Sequence, residues 1–343
     1  MIFKKDEIVN KYKIIEFKGA GSFGETYRAL HLGLNQERAL KFCKITSRQR
    51  IKDILHEARV QVDLKNNYIV KIYDVDKYIK RDTNERLLYI DMEYINGGTF
   101  GSYMQKNFVS IKSAIDIFMN ILFALEFIHN KNIIHRDVKP DNILMIDVNT
   151  PKLSDFGLSS IIGENWKMEY GYQGHIPPEC YTSEVFDKNI DIFASGMTLY
   201  RMINNYKNWD EIINRLNDND IINGNIIKKI GFNQWIPDKV KRIINKATNR
   251  DPNRRYKSIT EFKNALSKLN IIYDWAPVKN GLEWNGVGTK YIYKIEKTHR
   301  PRLNKWEVII KKNNRKFKTM LFDTKKEANN AMFEFIRGTY NEQ

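Results

Sequence analysis

The sequence predicts an α+β fold with a β-rich first lobe, a larger α-helical second lobe, and a small ββα-like domain of three antiparallel strands and one helix. Short apolar runs broken by glycines fill residues 12–92, a pattern typical of strands. Apolar residues at helical spacing dominate residues 111–269. Three strand-like runs and one amphipathic segment follow residue 289. The length of 343 residues agrees with about two folded units at roughly 150 residues each.

The composition is that of a globular protein. Hydrophobic residues make up 42% and aromatic residues 12%, which is too high for a chain that stays disordered. No apolar run approaches the roughly 20 residues that a membrane helix needs, and residues 1–13 lack the apolar core of a signal peptide. We therefore expect a cytoplasmic protein with no membrane partner. The two cysteines lie far apart and predict neither a disulfide framework nor a metal site.

The charge is concentrated near the C-terminus. The net charge of +16 suggests an anionic partner, although phosphate-binding enzymes are also basic. Residues 275–343 contain 15 basic and 7 acidic side chains, so this fifth of the chain carries half of the net charge.

A glycine-rich segment lies between two strand-like runs of the first lobe. Residues 19–24 have the sequence Gly-Ala-Gly-Ser-Phe-Gly, and glycines let a backbone close over phosphates and present its N–H groups to them. A dinucleotide-binding site would require a helix after the last glycine. Residues 25–29 are strand-like instead. The pattern therefore favours a phosphate-covering hairpin, with a simple glycine-rich turn as the alternative.

Lys41 lies inside an apolar strand of the first lobe. An ammonium group is costly to bury unless it is paired. The one helical stretch of this lobe, around residues 51–64, offers Glu57 as the partner. Such a pair would direct Lys41 towards the α- and β-phosphates of a nucleotide, whereas the alternative is a lysine on an edge strand.

The strongest local signal lies in residues 135–142, with the sequence His-Arg-Asp-Val-Lys-Pro-Asp-Asn, and is followed by Asp-Phe-Gly at residues 155–157. Phosphoryl transfer depends on positioning and on neutralising charge. Asp137 can accept the proton of an attacking hydroxyl, and Lys139 can neutralise the transferring group. Asn142 and Asp155 offer oxygen ligands that suit Mg²⁺. These residues predict a site for phosphoryl transfer.

Over roughly residues 8–270 the order and spacing of these motifs resemble the protein kinase family. The resemblance implies the bilobal protein kinase fold in residues 1–274, with an N-lobe at about 1–92, a hinge at 93–96 and a C-lobe at about 97–274. It implies ATP and Mg²⁺ as cofactors. Because Lys139 follows Asp137 by two residues, it also implies Ser/Thr specificity and a protein substrate.

The resemblance also assigns site residues. The catalytic residues would be Asp137, Lys139, Lys41 and Glu57, and the metal ligands would be Asn142 and Asp155. The residues binding the nucleotide would be Gly19, Gly21, Ser22, Phe23, Gly24, Thr26, Ala39, Lys41, Met92, Glu93, Ile95, Asn142 and Asp155. Two further pairings are implied: Glu179 with Arg255, and Asp191 with the catalytic loop.

Several positions depart from the family pattern. Gln61 stands where an apolar residue would help to join the lobes, and Tyr172 replaces a threonine that commonly contacts Asp137 and Lys139. Residues 161–176 contain no Ser or Thr, so the usual phosphothreonine switch is not expected. The alternatives to a protein kinase are a nucleotide-binding pseudokinase scaffold recruited to DNA and a small-molecule phosphotransferase.

The C-terminal tail has its own pattern. Residues 275–289 contain three glycines and a proline and are expected to be a connector, and residues 290–343 to form the basic domain. Strands are predicted at residues 290–295, 306–310 and 316–322, and a capping box at residues 324–327 opens the helix. The domain resembles the DNA-binding domains of Apetala-type factors and integrase arms. This likeness implies binding of DNA or another nucleic acid through the open face of the sheet, whereas the alternative is a small basic packing domain.

Overall fold

The computed structural model describes residues 1–21, 24–156, 160–161, 173–181, 187–278 and 281–340. Within its helices and strands, the side chains of residues 48–50, 53, 56, 57, 60, 160 and 161 are not described. Glu57 is one of these residues, so only its place in the backbone is known.

The N-lobe is a six-stranded antiparallel sheet with one helix. The strand order is β1-β2-β3-β4-β6-β5, and the helix α1 (Arg48–Val62) connects β4 to β5. The strands are β1 (Ile8–Val9), β2 (Tyr12–Gly21), β3 (Gly24–His31), β4 (Gln36–Lys44), β5 (Ile72–Lys80) and β6 (Glu85–Glu93). This arrangement confirms the predicted β-rich lobe.

Alternation along the strands divides the side chains of this sheet between its two faces. Tyr27, Phe42 and Tyr89 are buried on the face away from the helix. On the other face, Ile54 and Ala58 of α1 pack against the sheet. The helix is therefore held on the side of the sheet that carries Cys43, Leu88 and Ile90.

The C-lobe is mainly helical in its described residues, as the sequence predicts. Its helices are α2 (Phe100–Lys106), α3 (Ile111–Asn130), α4 (Asn189–Asn204), α5 (Trp209–Ile213), α6 (Asp218–Ile222), α7 (Ile226–Ile230), α8 (Asp238–Ala247) and α9 (Ile259–Ser267). Short strands pair antiparallel near the cleft: β7 (Ile133–Ile134) with β10 (Ser160–Ile161), and β8 (Ile143–Met145) with β9 (Pro151–Leu153). The central helices α3 and α4 are both largely buried and position the loop between β7 and β8.

The tail contains five strands in its described residues, and not three. They form an antiparallel meander in the order β11-β12-β13-β14-β15, followed by α10 (Lys325–Thr339). The strands are β11 (Tyr273–Pro277), β12 (Glu283–Gly288), β13 (Ile292–Arg300), β14 (Lys305–Lys312) and β15 (Arg315–Phe322). The expectation of a connector over residues 275–289 is therefore wrong, because most of these residues belong to β11 and β12.

The glycines that suggested a connector have a packing role. A Cβ atom on Gly286 would lie 2.5 Å from the ring of Trp275, and one on Gly288 would lie 2.5 Å from the ring of Tyr273. Glycine inside a strand often marks such a close approach. Large aromatic rings thus occupy the space that these two positions leave open.

Helix α10 covers one face of the tail sheet. Its first turn has the predicted capping box, since the Thr324 hydroxyl accepts from the Glu327 amide and the Glu327 carboxylate accepts from the Thr324 amide. Ala328, Met332 and Ile336 are fully buried against the sheet. The opposite face has no covering helix among the described residues.

The tail packs on the C-lobe through aromatic side chains. Trp284 of β12 contacts Trp235 of the α7–α8 loop, with ring centroids 5.4 Å apart, and Phe108 of the α2–α3 loop at 5.8 Å. Phe333 of α10 contacts both tryptophans at 5.8 Å. The tail and the C-lobe therefore share one continuous apolar core.

Among the described residues, no helix has the length and apolar character needed to cross a membrane.

Candidate active site

A cleft of about 510 Å³ lies between the two lobes. The predicted residues that line it are Gly19, Gly21, Gly24, Thr26, Ala39, Lys41, Glu93, Ile95 and Asp155. Met92 and Asn142 lie outside this lining, and Ser22 and Phe23 lie outside the described residues. Residues that the sequence reasoning missed also line the cleft: Lys18, Ala20, Tyr94, Gly98, Thr99, Ser102 and Leu144. Leu144, two residues after Asn142, could have been found from its apolar position directly behind the catalytic loop.

The glycine-rich segment forms the hairpin between β2 and β3, as predicted. Gly21 pairs with Gly24 across the hairpin. Gly24 has a φ of 142°, and a Cβ atom there would lie 2.1 Å from the carbonyl oxygen of Phe42. Only glycine fits at this position, which lets the hairpin lie close to β4 above the cleft.

The segment that connects the lobes is fixed by an ion pair. Nζ of Lys152 in β9 lies 2.7 Å from one carboxylate oxygen of Glu93 and 2.9 Å from the other. Met92 pairs with Ala39 of β4 in the sheet and packs with the apolar cluster beneath α1. The backbone at the back of the cleft is therefore held from both lobes.

Lys41 projects from β4 into the cleft. Its side chain is 10% exposed, and its Nζ lies 3.0 Å from Oδ1 of Asp155. The backbone of Asp155 is left-handed, with a φ of 62°, which turns the carboxylate back towards this lysine. The ion pair joins the two lobes across the cleft. The predicted pairing of Lys41 with Glu57 stays a prediction, because the Glu57 side chain lies outside the described atoms.

The catalytic loop brings Asp137, Lys139 and Asn142 together. Nζ of Lys139 lies 2.6 Å from Oδ2 of Asp137, and Nδ2 of Asn142 donates to the same oxygen at 2.8 Å. The 3₁₀ turn Pro140–Asn142 folds the chain back so that residues two and five positions after Asp137 reach its carboxylate. Asn142 also donates to the Asp137 carbonyl at 2.8 Å, which fixes the loop to itself.

Asp191 holds the backbone of this loop from beneath. Its carboxylate accepts from the amides of His135 and Arg136 at 2.8 and 2.7 Å and lies 2.7 Å from Nε2 of His129. Burial alone would raise the pKa of Asp191, but these hydrogen bonds hold the pKa below its usual value. Arg136 has a φ of 67°, a conformation that these bonds stabilise. The predicted role of Asp191 is confirmed.

The side chains behind Asp155 are buried. The ring of Phe156 meets the ring of His135 edge-on at 4.7 Å, and Nε2 of His135 lies 3.1 Å from the carbonyl oxygen of Ser154. Burial lowers the pKa of His135, so the ring is neutral and can donate to that carbonyl. The strand that leads to Asp155 is thereby tied to the catalytic loop.

Gln61 is buried in α1, at 2% exposure. Its Nε2 donates to the carbonyl of Val70 at 2.7 Å, and the Val70 amide donates to Leu153, two residues before Asp155. The side-chain amide of Gln61 therefore has a hydrogen-bond partner at a position where the family has an apolar contact. Through Val70, these hydrogen bonds link α1 to β9.

Glu179 and Arg255 form the predicted ion pair. The guanidinium of Arg255 is fully buried and binds both carboxylate oxygens, at 2.5 and 2.7 Å. This bidentate pair joins the turn Pro178–Tyr181 to the loop before α9, far from the cleft, and its role is structural.

The donor set suits a magnesium ion bound together with phosphates. Mg²⁺ prefers one or two protein carboxylates with phosphate oxygens and water. Asp155 is 36% exposed at the cleft, and the amide nitrogen of Asn142 faces Asp137, which leaves the amide oxygen for a ligand. The described residues contain no cluster of three or more His, Cys, Asp or Glu that could hold a metal alone. An ion at this site would depend on the nucleotide.

Comparison with known proteins agrees with this geometry. Residues 12–267 match the protein kinase domain. A probable serine/threonine-protein kinase of Clostridium perfringens is 29% identical over 272 residues, which cover 76% of this chain and 38% of that protein. Calcium-dependent protein kinase 5 of Plasmodium falciparum is 30% identical over 235 residues, or 65% of this chain and 40% of that protein. A probable serine/threonine-protein kinase of Dictyostelium discoideum is 31% identical over 212 residues, or 57% and 30%.

The chain spans less than half the length of each of these three curated relatives. The match to the protein kinase domain nevertheless covers about three quarters of the chain and includes both lobes and the cleft. Family members use ATP with Mg²⁺, and the cleft described above has the corresponding residues. The chain therefore belongs to the protein kinase family.

Proposed function

We propose that this protein transfers the γ-phosphoryl group of Mg·ATP to Ser or Thr hydroxyls of a protein substrate. The observation that carries the proposal is the contact of Lys139 and Asn142 with the Asp137 carboxylate in one loop, together with the Lys41–Asp155 pair that spans the cleft. Phosphoryl transfer requires these elements: a hydroxyl-orienting carboxylate, metal ligands and fixed positive charge.

Each residue has a role in this proposal. Lys41, whose ammonium lies 3.0 Å from Asp155 in the cleft, would bind the α- and β-phosphates of the nucleotide. Asp137 accepts the hydroxyl proton, and Lys139, already 2.6 Å from that carboxylate, is placed to neutralise charge on the transferring group. Asn142 and Asp155 would hold Mg²⁺, and the ion would neutralise charge on the phosphates when bound.

The alternatives differ from this proposal in measurable ways. A pseudokinase scaffold would bind nucleotide without turnover, and a small-molecule phosphotransferase would label no protein. The test is incubation of the purified chain with labelled ATP and Mg²⁺, followed by mass spectrometry of phosphosites on itself and on generic Ser/Thr substrates. Phosphoserine or phosphothreonine that is lost in Asp137→Ala supports the proposal. Tight nucleotide binding without product would overturn it.

For the tail we propose nucleic-acid binding through its β14–β15 hairpin. Residues 308–322 contain five basic and no acidic side chains. Within the described chain, only Lys311 of these five pairs with a carboxylate, and Arg315, Lys316 and Lys318 are exposed. Exposed cations of this kind can bind the phosphates of a nucleic acid without reading its base sequence.

The open face of the tail sheet is a weaker candidate for the nucleic-acid site than the sequence suggests. Its basic side chains are largely neutralised by neighbouring acids: Lys294 lies 3.1 Å from both Glu283 and Glu296, and Lys311 lies 2.8 Å from Glu296. Arg300 is paired with Glu307. A phosphate would have to displace these carboxylates, so we place the contact at the hairpin.

The test uses the whole chain, because the tail shares its core with the C-lobe. Binding to duplex DNA should weaken with salt at a log–log slope of about −0.9 for each phosphate contacted. The triple variant Arg315→Ala/Lys316→Ala/Lys318→Ala should flatten that slope. A control with equal charge loss on the C-lobe, Lys239→Ala/Arg242→Ala/Lys268→Ala, should retain it. Salt-independent binding, or equal effects of the two triple variants, would contradict this site.

A further inference from the structure

A histidine–arginine pair lies directly behind the catalytic loop. His175 and Arg201 are each 4% exposed. Nδ1 of His175 lies 2.9 Å from the carbonyl oxygen of Val138, and Nη1 of Arg201 lies 3.2 Å from Nε2 of His175. Val138 lies between Asp137, which accepts the hydroxyl proton in the proposed chemistry, and Lys139, which neutralises charge on the transferring group.

The two partners determine the proton on His175. A carbonyl oxygen can only accept, so Nδ1 must carry the hydrogen, and a guanidinium can only donate, so Nε2 must be bare. The imidazole is therefore neutral. Burial, and after it the charge of Arg201, lowers the pKa of His175 well below its usual value, in agreement with this assignment.

Helix α4 contacts the catalytic loop on both sides of Asp137. At its first turn, Asp191 accepts from the amides of His135 and Arg136. Two turns later, the Thr198 hydroxyl lies 2.9 Å from the Val138 carbonyl, and Arg201 acts on the same carbonyl through His175. Both ends of this helix thus hold the backbone around the Asp137 carboxylate.

The neighbours of His175 and Arg201 fix the positions of these two side chains. The Arg201 guanidinium lies over the ring of Trp209 at 5.1 Å, and its Nη2 is 4.0 Å from Oδ2 of Asp141 in the same loop. Gly174 has a φ of 82°, and a Cβ atom there would lie 2.8 Å from Ile213. The close packing of Gly174 on α5 places His175 between α5 and the catalytic loop.

We propose that His175 and Arg201 are positioning residues that hold Asp137 and Lys139 in their observed geometry through the Val138 carbonyl. This inference rests on the proposed kinase function. The pair does not touch the nucleotide cleft, because neither residue lines it. Its loss should therefore affect turnover and leave nucleotide affinity unchanged.

The test compares four variants of the whole chain with the wild type: His175→Phe, His175→Gln, Arg201→Met and the control His299→Phe on the exposed end of β13. Phenylalanine keeps a ring beside Trp209 but makes neither hydrogen bond, whereas glutamine can both donate and accept. We expect His175→Phe to lower kcat by about 10–100-fold, the effect of small misplacements of reacting groups. The KM for ATP and the affinity for a fluorescent nucleotide should remain unchanged. His175→Gln should recover part of the rate, and His299→Phe should match the wild type.

A second measurement does not depend on activity. Hydrogen exchange in a peptide covering residues 136–142 should be faster in His175→Phe and Arg201→Met than in the wild type, and close to wild type in His175→Gln and His299→Phe. Unchanged kcat and exchange in His175→Phe would overturn the inference. So would a parallel loss of nucleotide affinity and melting temperature, which indicates a general structural role. An inactive wild type would contradict the proposed function, and the exchange rates would still decide the positioning role.

Discussion

Among the described residues that line the cleft, Asp155 is the only one whose carboxylate contacts Lys41. Its backbone is strained, with a left-handed φ. We expect Asp155→Ala to abolish phosphoryl transfer, because it removes a ligand that the nucleotide-bound Mg²⁺ requires. Asp137→Ala should lower the rate by roughly 10²–10⁴-fold, as loss of a positioned base does. Lys41→Met should be severely impaired.

The measurement is the initial rate with labelled ATP at saturating Mg²⁺. The matched control is Asp147→Ala, since the Asp147 carboxylate only caps the exposed turn between β8 and β9 through Asn149 and Thr150. Turnover in Asp155→Ala equal to that of Asp147→Ala would exclude the proposed chemistry.

Lys297 is a buried lysine of the tail without a carboxylate partner among the described residues. It is 5% exposed, and its Nζ contacts the side-chain oxygen of Asn329 and lies 3.5 Å from the Gly281 carbonyl oxygen. Burial, with a smaller contribution from the charge of Lys325, lowers its pKa below the ordinary 10.5. The folded chain thus binds this proton less tightly than the unfolded chain, so stability should increase with pH between the lowered pKa and 10.5.

We expect Lys297→Met to stabilise the protein by about 1 kcal/mol at pH 7, because no ammonium is then desolvated. The melting temperature should increase by on the order of 2 °C. Since the variant lacks the titrating group, its advantage over the wild type should shrink as the pH approaches 10. The exposed Lys326→Met is the control. An advantage that stays constant from pH 7 to pH 10 would show that Lys297 does not titrate as described.

At the scale of single elements, the segment after Asp155 carries the next prediction. Residues 161–176 contain no Ser or Thr, and residues 162–172, with Tyr170 and Tyr172, lie outside the described structure. At the described end of the segment, Nδ1 of His175 lies 2.9 Å from the Val138 carbonyl oxygen of the catalytic loop. We therefore expect activity to be independent of prior phosphorylation in this segment.

The measurement is the initial rate before and after phosphatase treatment, beside that of the double variant Tyr170→Phe/Tyr172→Phe. Equal rates are expected in all three samples. A strict requirement for phosphate on either tyrosine would show that a tyrosine switch replaces the absent threonine.

The elements also show which features the sequence can predict. Asp137, Lys139 and Asn142 lie within six residues, so a local turn is sufficient to bring them together. Their spacing in the sequence therefore predicts that they share one site. The contact between Lys41 and Asp155 spans 114 positions and depends on how the two lobes meet, which residue spacing alone does not determine. Gly286 and Gly288 suggested a connector, because the cross-strand rings that fill their space are visible only in the folded sheet.

For the whole molecule, the main consequence of the structure is that the tail and the C-lobe are joined by a shared core. Trp284 is 2% exposed and packs on Phe108 and Trp235, both of which belong to the C-lobe. Phe108 lies in the loop that follows α2, and α2 contributes Ser102 to the lining of the nucleotide cleft. Hence the tail supports a part of the lobe that leads to the active site.

We expect Trp284→Ala to destabilise the whole chain by about 3–5 kcal/mol, the usual effect of removing a large buried aromatic side chain. Because the core is continuous, the C-lobe and the tail should unfold in one transition, and that transition should move to lower temperature as a whole. The control is Trp306→Ala, which also removes a tryptophan side chain, but from a partly exposed position near the start of β14. This variant should reduce the free energy of unfolding by less. Calorimetry measures both variants, and hydrogen exchange assigns the change to each region. If Trp284→Ala loosened only residues 273–340 and left the exchange of α3 and α8 unchanged, the tail would be an independent domain attached to the lobe, and the basic hairpin would move separately from the active site.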